Sequence, residues 1–162
     1  MLRMLRHVAE VARAAGVGPV ALASSDADAA ALAATFGIGH VDDGGLTWNE
    51  GLAYARARVE PPPDAVLYLA GDLPLVEAAE IRRLVEACPG RGVAIGRAHD
   101  GGTNALAVRP AGSLEPRFGA AHSARAHADA GLAAGLEVVI VDLPGVALDV
   151  DTPADARRAG LL

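Results

Sequence analysis

The chain of 162 residues contains no lysine; its fourteen basic side chains are all arginine. That absence excludes a G-x-x-x-x-G-K-[ST] phosphate loop, which needs its lysine on the β- and γ-phosphates. Aromatic residues are almost as scarce, at 3% of the chain against 52% hydrophobic. The core must therefore be built from Ala, Val, Leu and Ile, whose small volumes suit helices laid closely on a sheet. Cys88, the single cysteine, rules out an internal disulfide. No apolar run approaches the roughly 20 residues of a membrane span. The opening Met1-Leu2-Arg3-Met4-Leu5-Arg6-His7 breaks its apolar residues with charge every third position, unlike a signal peptide. A cytoplasmic protein with no membrane role is expected. A net charge of -6 and a pI near 5.3 supply no basic face for a phosphate backbone, so small molecules rather than nucleic acid are the expected partners. There is also no H-E-x-x-H, Cys/His cluster or G-x-S-x-G elbow, which argues against zinc and serine-hydrolase chemistry.

What is present alternates. Apolar Leu2, Leu5, Val8 and Ala12 recur at helical spacing over residues 2 to 15 and end at Gly16. Val20 to Ala23 reads as a short buried strand, followed by an Ala-rich helix that stops at Gly37 and a weaker strand from Ile38 to Val41. Thr47 with Glu50 forms a capping box for a helix to about Val59, which Pro61-Pro62-Pro63 ends. Ala65-Val66-Leu67-Tyr68-Leu69-Ala70 is apolar without alternation, the pattern of a strand buried on both faces in a parallel sheet. Ile81, Leu84, Val85 and Cys88 mark the next helix, up to Pro89-Gly90. Val93 to Ile95 and Ala105 to Val108 read as strands joined through Asp100-Gly101-Gly102; Ser123 to Ala134 as a helix; Val138 to Val141 as a strand; and Leu148 to Asp151 as a last strand before a short terminal helix. Helices alternating with buried strands predict one α/β domain, a Rossmann-like doubly wound sheet, with ligands beyond the carboxyl ends of the strands.

That rule directs attention to four places. Asp72 directly follows the most apolar strand, where it suits a metal ligand and, equally, a cap for the next helix. On a strand, Asp149 and Asp151 would point to the same side and repel without a cation between them, and magnesium suits such oxygen ligands. Surface D-x-D triplets are nonetheless common, and Thr152, Pro153 and Asp155 make a capping box of their own that leaves both aspartates free. Gly101-Gly102-Thr103-Asn104 offers backbone N–H groups and a hydroxyl to an anion, or is an ordinary hairpin turn. Phe118-Gly119 with Ser123 and His127 runs into a helix N-terminus, an anion seat or a simple Ser123 cap. Trp48 and Asn49 begin a helix that faces the same crevice, Trp48 equally as a staple over the core.

Taken in order, Gly71-Asp72-Leu73-Pro74, Gly102-Thr103-Asn104, Phe118-Gly119 with Ser123 and His127, and Leu148-Asp149-Val150-Asp151-Thr152-Pro153 with Asp155 resemble the guanylyltransferases of deazaflavin coenzyme F-420 biosynthesis. The resemblance runs from about residue 1 to the end. It implies a nucleotide-diphospho-sugar transferase fold of the glycosyltransferase-A type with a mixed sheet. The implied activity is transfer of GMP from GTP to phosphoenolpyruvate or 2-phospho-L-lactate, with release of pyrophosphate. By position, the resemblance makes Asp72, Asp149 and Asp151 the catalytic magnesium (Mg2+) ligands. Thr103, Asn104, Gly119 and Ser123 would contact the acid and Asn49 the nucleotide, and a homodimer is compatible with it. Two departures accompany the likeness. The family pattern opens on a strand and a Lys/Arg loop that bind the nucleotide, whereas this sequence starts at the helix after them. The expectation is thus an N-terminally truncated domain lacking the first, central strand, with neighbouring strand edges exposed. Gly119-Ala120-Ala121-His122-Ser123 is also one residue longer than the usual Gly-x-x-Ser. A sugar-nucleotide-dependent transferase and a domain that binds the acid without catalysis are the other readings.

Overall fold

A computed structural model describes residues 2–162. Helix α1 (Leu2–Ala15) turns Val8, Ala9 and Ala15 inward and packs on two later helices, α2 (Ala27–Phe36) and α4 (Ala78–Ala87). Its carboxyl end is secured by Arg82, whose guanidinium donates to the Ala14 carbonyl at 3.4 Å. Asp26 caps α2 by accepting the Asp28 N–H at 2.8 Å, and Gly37 ends it with φ of 61°, the left-handed conformation that glycine adopts without strain. Two short strands, β1 (Ala21–Ala23) and β2 (Gly39–Val41), pair in parallel. Helix α3 (Trp48–Arg56) starts at the expected box, Thr47 N–H donating to Glu50 at 3.2 Å.

The remaining strands form a second sheet. Strand β3 (Val66–Leu69) runs antiparallel to β5 (Thr103–Arg109), which pairs antiparallel with β4 (Gly92–Arg97), which pairs in parallel with β6 (Glu137–Val141). Side chains alternate across β4 and β5. Ala94, Ala105 and Ala107 meet one core with Leu73, Ile81, Leu84, Leu143 and Val146; Val93, Ile95, Leu106 and Val108 meet the other with Phe118, Leu114 and Leu136. The alanine side is what lets α4 lie close, and helix α5 (Ser123–Ala133) covers the opposite side over β4 and β6. Burying a leucine such as Leu143, 1% exposed, contributes roughly 1.5–3 kcal/mol.

Three expectations need correction. The sheet is in two parts rather than one, β1-β2 and β3-β5-β4-β6; the edge of β3 away from β5 has no strand beside it among the described residues, the kind of exposed edge that was expected. Strand β3 is also an edge strand in antiparallel pairing, with only Tyr68 fully buried among its four residues. Its unbroken apolar run reflects coverage of its faces by helices, and face coverage is blind to what lies along an edge. Residues 148–151 form no strand: the segment makes no ladder with β6 or any other strand and continues past the sheet into helix α6 (Pro153–Arg158).

Candidate active site

The carboxylates come from two connections that leave the sheet. The Ala70 N–H still bonds to the Asn104 carbonyl at 2.9 Å, and the chain then departs through Gly71 to a half-buried Asp72. The stretch that carries Asp149 and Asp151 is anchored upstream at three points. Glu80, itself buried, accepts the Gly145 N–H at 2.8 Å; Asn104 donates to the Val146 carbonyl at 2.9 Å; and the His99 N–H donates to the Ala147 carbonyl at 2.9 Å. No side chain fits at Gly145, where a Cβ would collide with Glu80 and the Leu75 backbone. Downstream, Thr152 and Asp155 close the segment with reciprocal bonds, Thr152 N–H to Asp155 at 3.0 Å and Asp155 N–H to Thr152 Oγ1 at 3.3 Å.

The three carboxylates lie in one another's field. Burial pushes the Asp72 carboxyl above its usual range, and the charges of Asp149 and Asp151 add to the rise. Asp151 is raised in the same way, by desolvation and then by Asp149, Asp155 and Asp100. Asp149 and Asp151 thus interact although the strand from which that was expected does not form. Neither Asp72 nor Asp151 has an ion-pair partner among the described residues; Asp149 has only the His99 ring, with Nδ1 3.8 Å from its Oδ1. Nothing in the sequence pattern singled out His99, which sits beyond the end of β4 with its Nε2 3.0 Å from the Arg158 guanidinium. Such an all-oxygen, uncompensated set suits a hard divalent cation. Among the described residues, however, no three His, Cys, Asp or Glu side chains are gathered closely enough to form a finished metal cage.

The other side of the site is closely packed. Thr103, at the start of β5, is 4% exposed, and Ser123, at the start of α5, is 1% exposed. One turn along α5, His127 is fully buried, with Nδ1 2.9 Å from Thr103 Oγ1 and Nε2 accepting the Arg117 N–H at 2.8 Å. Desolvation lowers its pKa to about 4, so the ring is neutral at ordinary pH. Phe118 packs edge-on to that ring at 5.2 Å and stacks on Trp48 at the same distance. Gly119 has φ of 80° and lies against the Trp48 ring.

Two expectations take a different form here. The amides of Gly101 and Gly102 are engaged inside the turn, with Ala98 O at 3.1 Å and Asp100 Oδ1 at 2.8 Å, so they are not a free anion cradle. The Asn49 amide clasps the Phe118 backbone, donating to its carbonyl at 3.0 Å and accepting its N–H at 2.8 Å. Asn49 therefore positions the Phe118-Gly119 loop and keeps one N–H for anything else. Asn104, likewise, turns its amide to Val146.

A cleft of about 220 Å³ lined by Arg97, Ala98, His99, Gly101, Asp142 and Ala147 adjoins these groups. A larger hollow of about 350 Å³ lies at the amino ends of β1 and β2 and contains none of them. No helix among the described residues is long and apolar enough to cross a membrane.

The family described as "Guanylyl transferase CofC like" matches residues 1–159. A phosphoenolpyruvate guanylyltransferase of Sphaerobacter thermophilus is 40% identical over 161 residues, 98% of this chain and 77% of that protein. Among solved structures, a nucleotidyl transferase from Methanothermobacter thermautotroptrophicus superposes with a TM-score of 0.73 at 18% identity. The match covers 96% of this chain and 77% of that one, a likeness of fold. A protein of Mycobacterium tuberculosis H37Rv, solved in complex with manganese, is 27% identical with a TM-score of 0.59 over 96% of this chain and 85% of that one.

Proposed function

The chain belongs to the CofC-like guanylyl transferase family, and on that premise we propose that it transfers GMP from GTP to phosphoenolpyruvate, releasing pyrophosphate, in the biosynthesis of deazaflavin coenzyme F-420. An oxygen of the acid's phosphate forms a bond to the α-phosphorus of GTP as the bond from that phosphorus to the bridging oxygen breaks. Both reactants are anions, and their mutual repulsion is the main obstacle to bringing them together.

The observation that carries the proposal is the pairing of a donor-lined, buried side with an uncompensated carboxylate side at the ends of one sheet. Asp72, Asp149 and Asp151 would hold magnesium or a similar divalent cation, which when bound neutralises charge on the two phosphates. The manganese-bound neighbour supports a divalent ion on this fold. Thr103 offers a hydroxyl to the acid, and the Gly119 loop, kept in place by Asn49, shapes the adjoining wall. Ser123 opens α5, where the first-turn N–H groups are already paired within the protein, Ser123 N–H with the Ala120 carbonyl at 3.0 Å and Ala124 N–H with the Gly101 carbonyl at 3.3 Å, so the serine would offer the acid its hydroxyl. The exclusion of water around Thr103 and Ser123 strengthens each such bond.

The test is pyrophosphate release from GTP and magnesium with phosphoenolpyruvate, with 2-phospho-L-lactate and with no acid. Acid-dependent release that is greatest with phosphoenolpyruvate is expected, and folded protein that releases none with either acid would refute the proposal.

A further inference from the structure

The hydrogen-bond partners of His127 fix more than its position. A backbone N–H can only donate, so the Arg117 N–H at 2.8 Å requires a lone pair on Nε2. In a neutral imidazole the hydrogen must then be on Nδ1, which faces Thr103 Oγ1 at 2.9 Å. The threonine oxygen therefore faces a hydrogen on His127, which the Ser123 backbone also contacts, and among the described residues no acceptor within the protein claims the hydroxyl's own hydrogen. The opposite tautomer would reverse this: Thr103 would donate to the ring and present only lone pairs to an incoming anion.

We propose that His127 is a positioning residue that fixes the Thr103 hydroxyl as a hydrogen-bond donor toward the anionic acid substrate. This rests on the reading of Thr103 as an acid-binding group. Three features prevent the ring from turning over and exchanging its nitrogens. The Arg117 amide holds Nε2, Phe118 packs edge-on at 5.2 Å, and Asn49 holds the Phe118 backbone from the other side. Full burial keeps out the water that would otherwise offer the ring alternative partners. Arg117 thus sets the tautomer through its backbone N–H.

Two replacements separate the ring's two duties. In His127→Gln the longer amide reaches the position of Nε2 and can still accept the Arg117 N–H, but the donor to Thr103 is lost. In His127→Asn the shorter amide stands near Nδ1 and can restore that donor. Calorimetric titration with phosphoenolpyruvate in magnesium should show affinity falling about 10- to 100-fold in His127→Gln, the range of one charge-assisted bond. It should recover to within roughly 3-fold of wild type in His127→Asn. In turnover, the KM for the acid should rise in His127→Gln while the KM for GTP and kcat stay near wild type. Nitrogen-15 NMR of the wild-type imidazole at neutral pH should show the hydrogen on Nδ1, and it serves as the deciding measurement should either variant fail to fold.

A hydrogen found on Nε2 overturns the inference. So does wild-type affinity in His127→Gln when Thr103→Val binds the acid weakly, a result that leaves the acid-binding reading of Thr103 standing. Unchanged affinity in Thr103→Val would instead remove that reading and the inference with it.

Discussion

On one side of the site Thr103, Ser123 and His127 are 4%, 1% and 0% exposed, and each ring nitrogen of His127 has a partner at 2.8–2.9 Å. On the other side Asp72, Asp149 and Asp151 stand on connections without secondary structure; burial lifts the carboxyls of Asp72 and Asp151, and the neighbouring charges lift them further. The buried side is ordered by the bonds at both ring nitrogens of His127, to Thr103 and to the Arg117 N–H. The carboxylate side carries repulsion that the protein's own cations do not relieve, and such repulsion persists in a fold only where something else offsets it. Order thus belongs to the side that carries Thr103, Ser123 and His127, and unrelieved charge to the side that carries the three aspartates.

The comparison is broken most forcefully at Asp149. Asp149→Ala removes a proposed ligand where repulsion now accumulates, so turnover should fall by roughly 100-fold or more, while thermal stability without metal should hold or rise. A chelator should abolish turnover of the wild-type protein to the same floor. Activity that survives both treatments would show that the carboxylates are ordinary surface charges and that the two sides do not differ in the way described.

The next largest effect is read in pH, and the two sides should respond with opposite sign. The folded-state pKa of His127, about 4, lies below the unfolded value near 6.5, so the stability it contributes is complete above pH 6.5 and is lost as pH falls toward 4. At pH 5 that loss is roughly 2 kcal/mol. The Asp72 and Asp151 carboxyls are raised instead, so their repulsion is present above their folded pKa values and is relieved as they take up protons. Metal-free unfolding in urea at pH 7 and at steps down to about pH 4 should therefore show a loss on acidification in the wild-type protein. The loss should be smaller in His127→Gln, and larger in Asp72→Asn once the pH has fallen through the raised pKa of the wild-type carboxyl. An equal loss in all three proteins would remove the distinction.

The contrast also bears on what could be seen in the sequence. Local chemistry was legible: Thr47 with Glu50 and Thr152 with Asp155 start the helices their spacing predicts. The apolar runs of β3, β4, β5 and β6 marked strands because faces covered by helices exclude charge whatever the pairing. Pairing itself was not legible. Nothing in Val66-Leu67-Tyr68-Leu69 reveals an antiparallel neighbour on one edge and none on the other, since an edge is made of backbone groups common to every residue. Leu148 to Asp151 looked like a strand for the same reason, but no ladder forms there. Single residues on the buried side, such as Thr103 and Ser123, were named from their motif. The partnership of His127 with Arg117, 10 positions away, and the approach of His99 to Asp149 depend on tertiary closeness that spacing does not encode.

The smallest effect tests whether the carboxylate side draws its little order from the cap that follows it. Thr152 accepts the Asp155 N–H at 3.3 Å, and Asp155 accepts the Thr152 N–H at 3.0 Å, so Thr152→Ala loses the first of these bonds and keeps the backbone half of the box. A lost cap of this kind costs about 1 kcal/mol. Because the cap lies immediately after Asp151 and the upstream anchors at Gly145, Val146 and Ala147 are untouched, the change should loosen only the segment that bears the carboxylates. Thr152→Ala should then lower the midpoint of thermal unfolding by a few degrees and weaken manganese binding several-fold, with acid affinity at saturating metal unchanged. Weakened acid binding under those conditions would mean that the two sides share one scaffold, and that their difference in order is a matter of exposure alone.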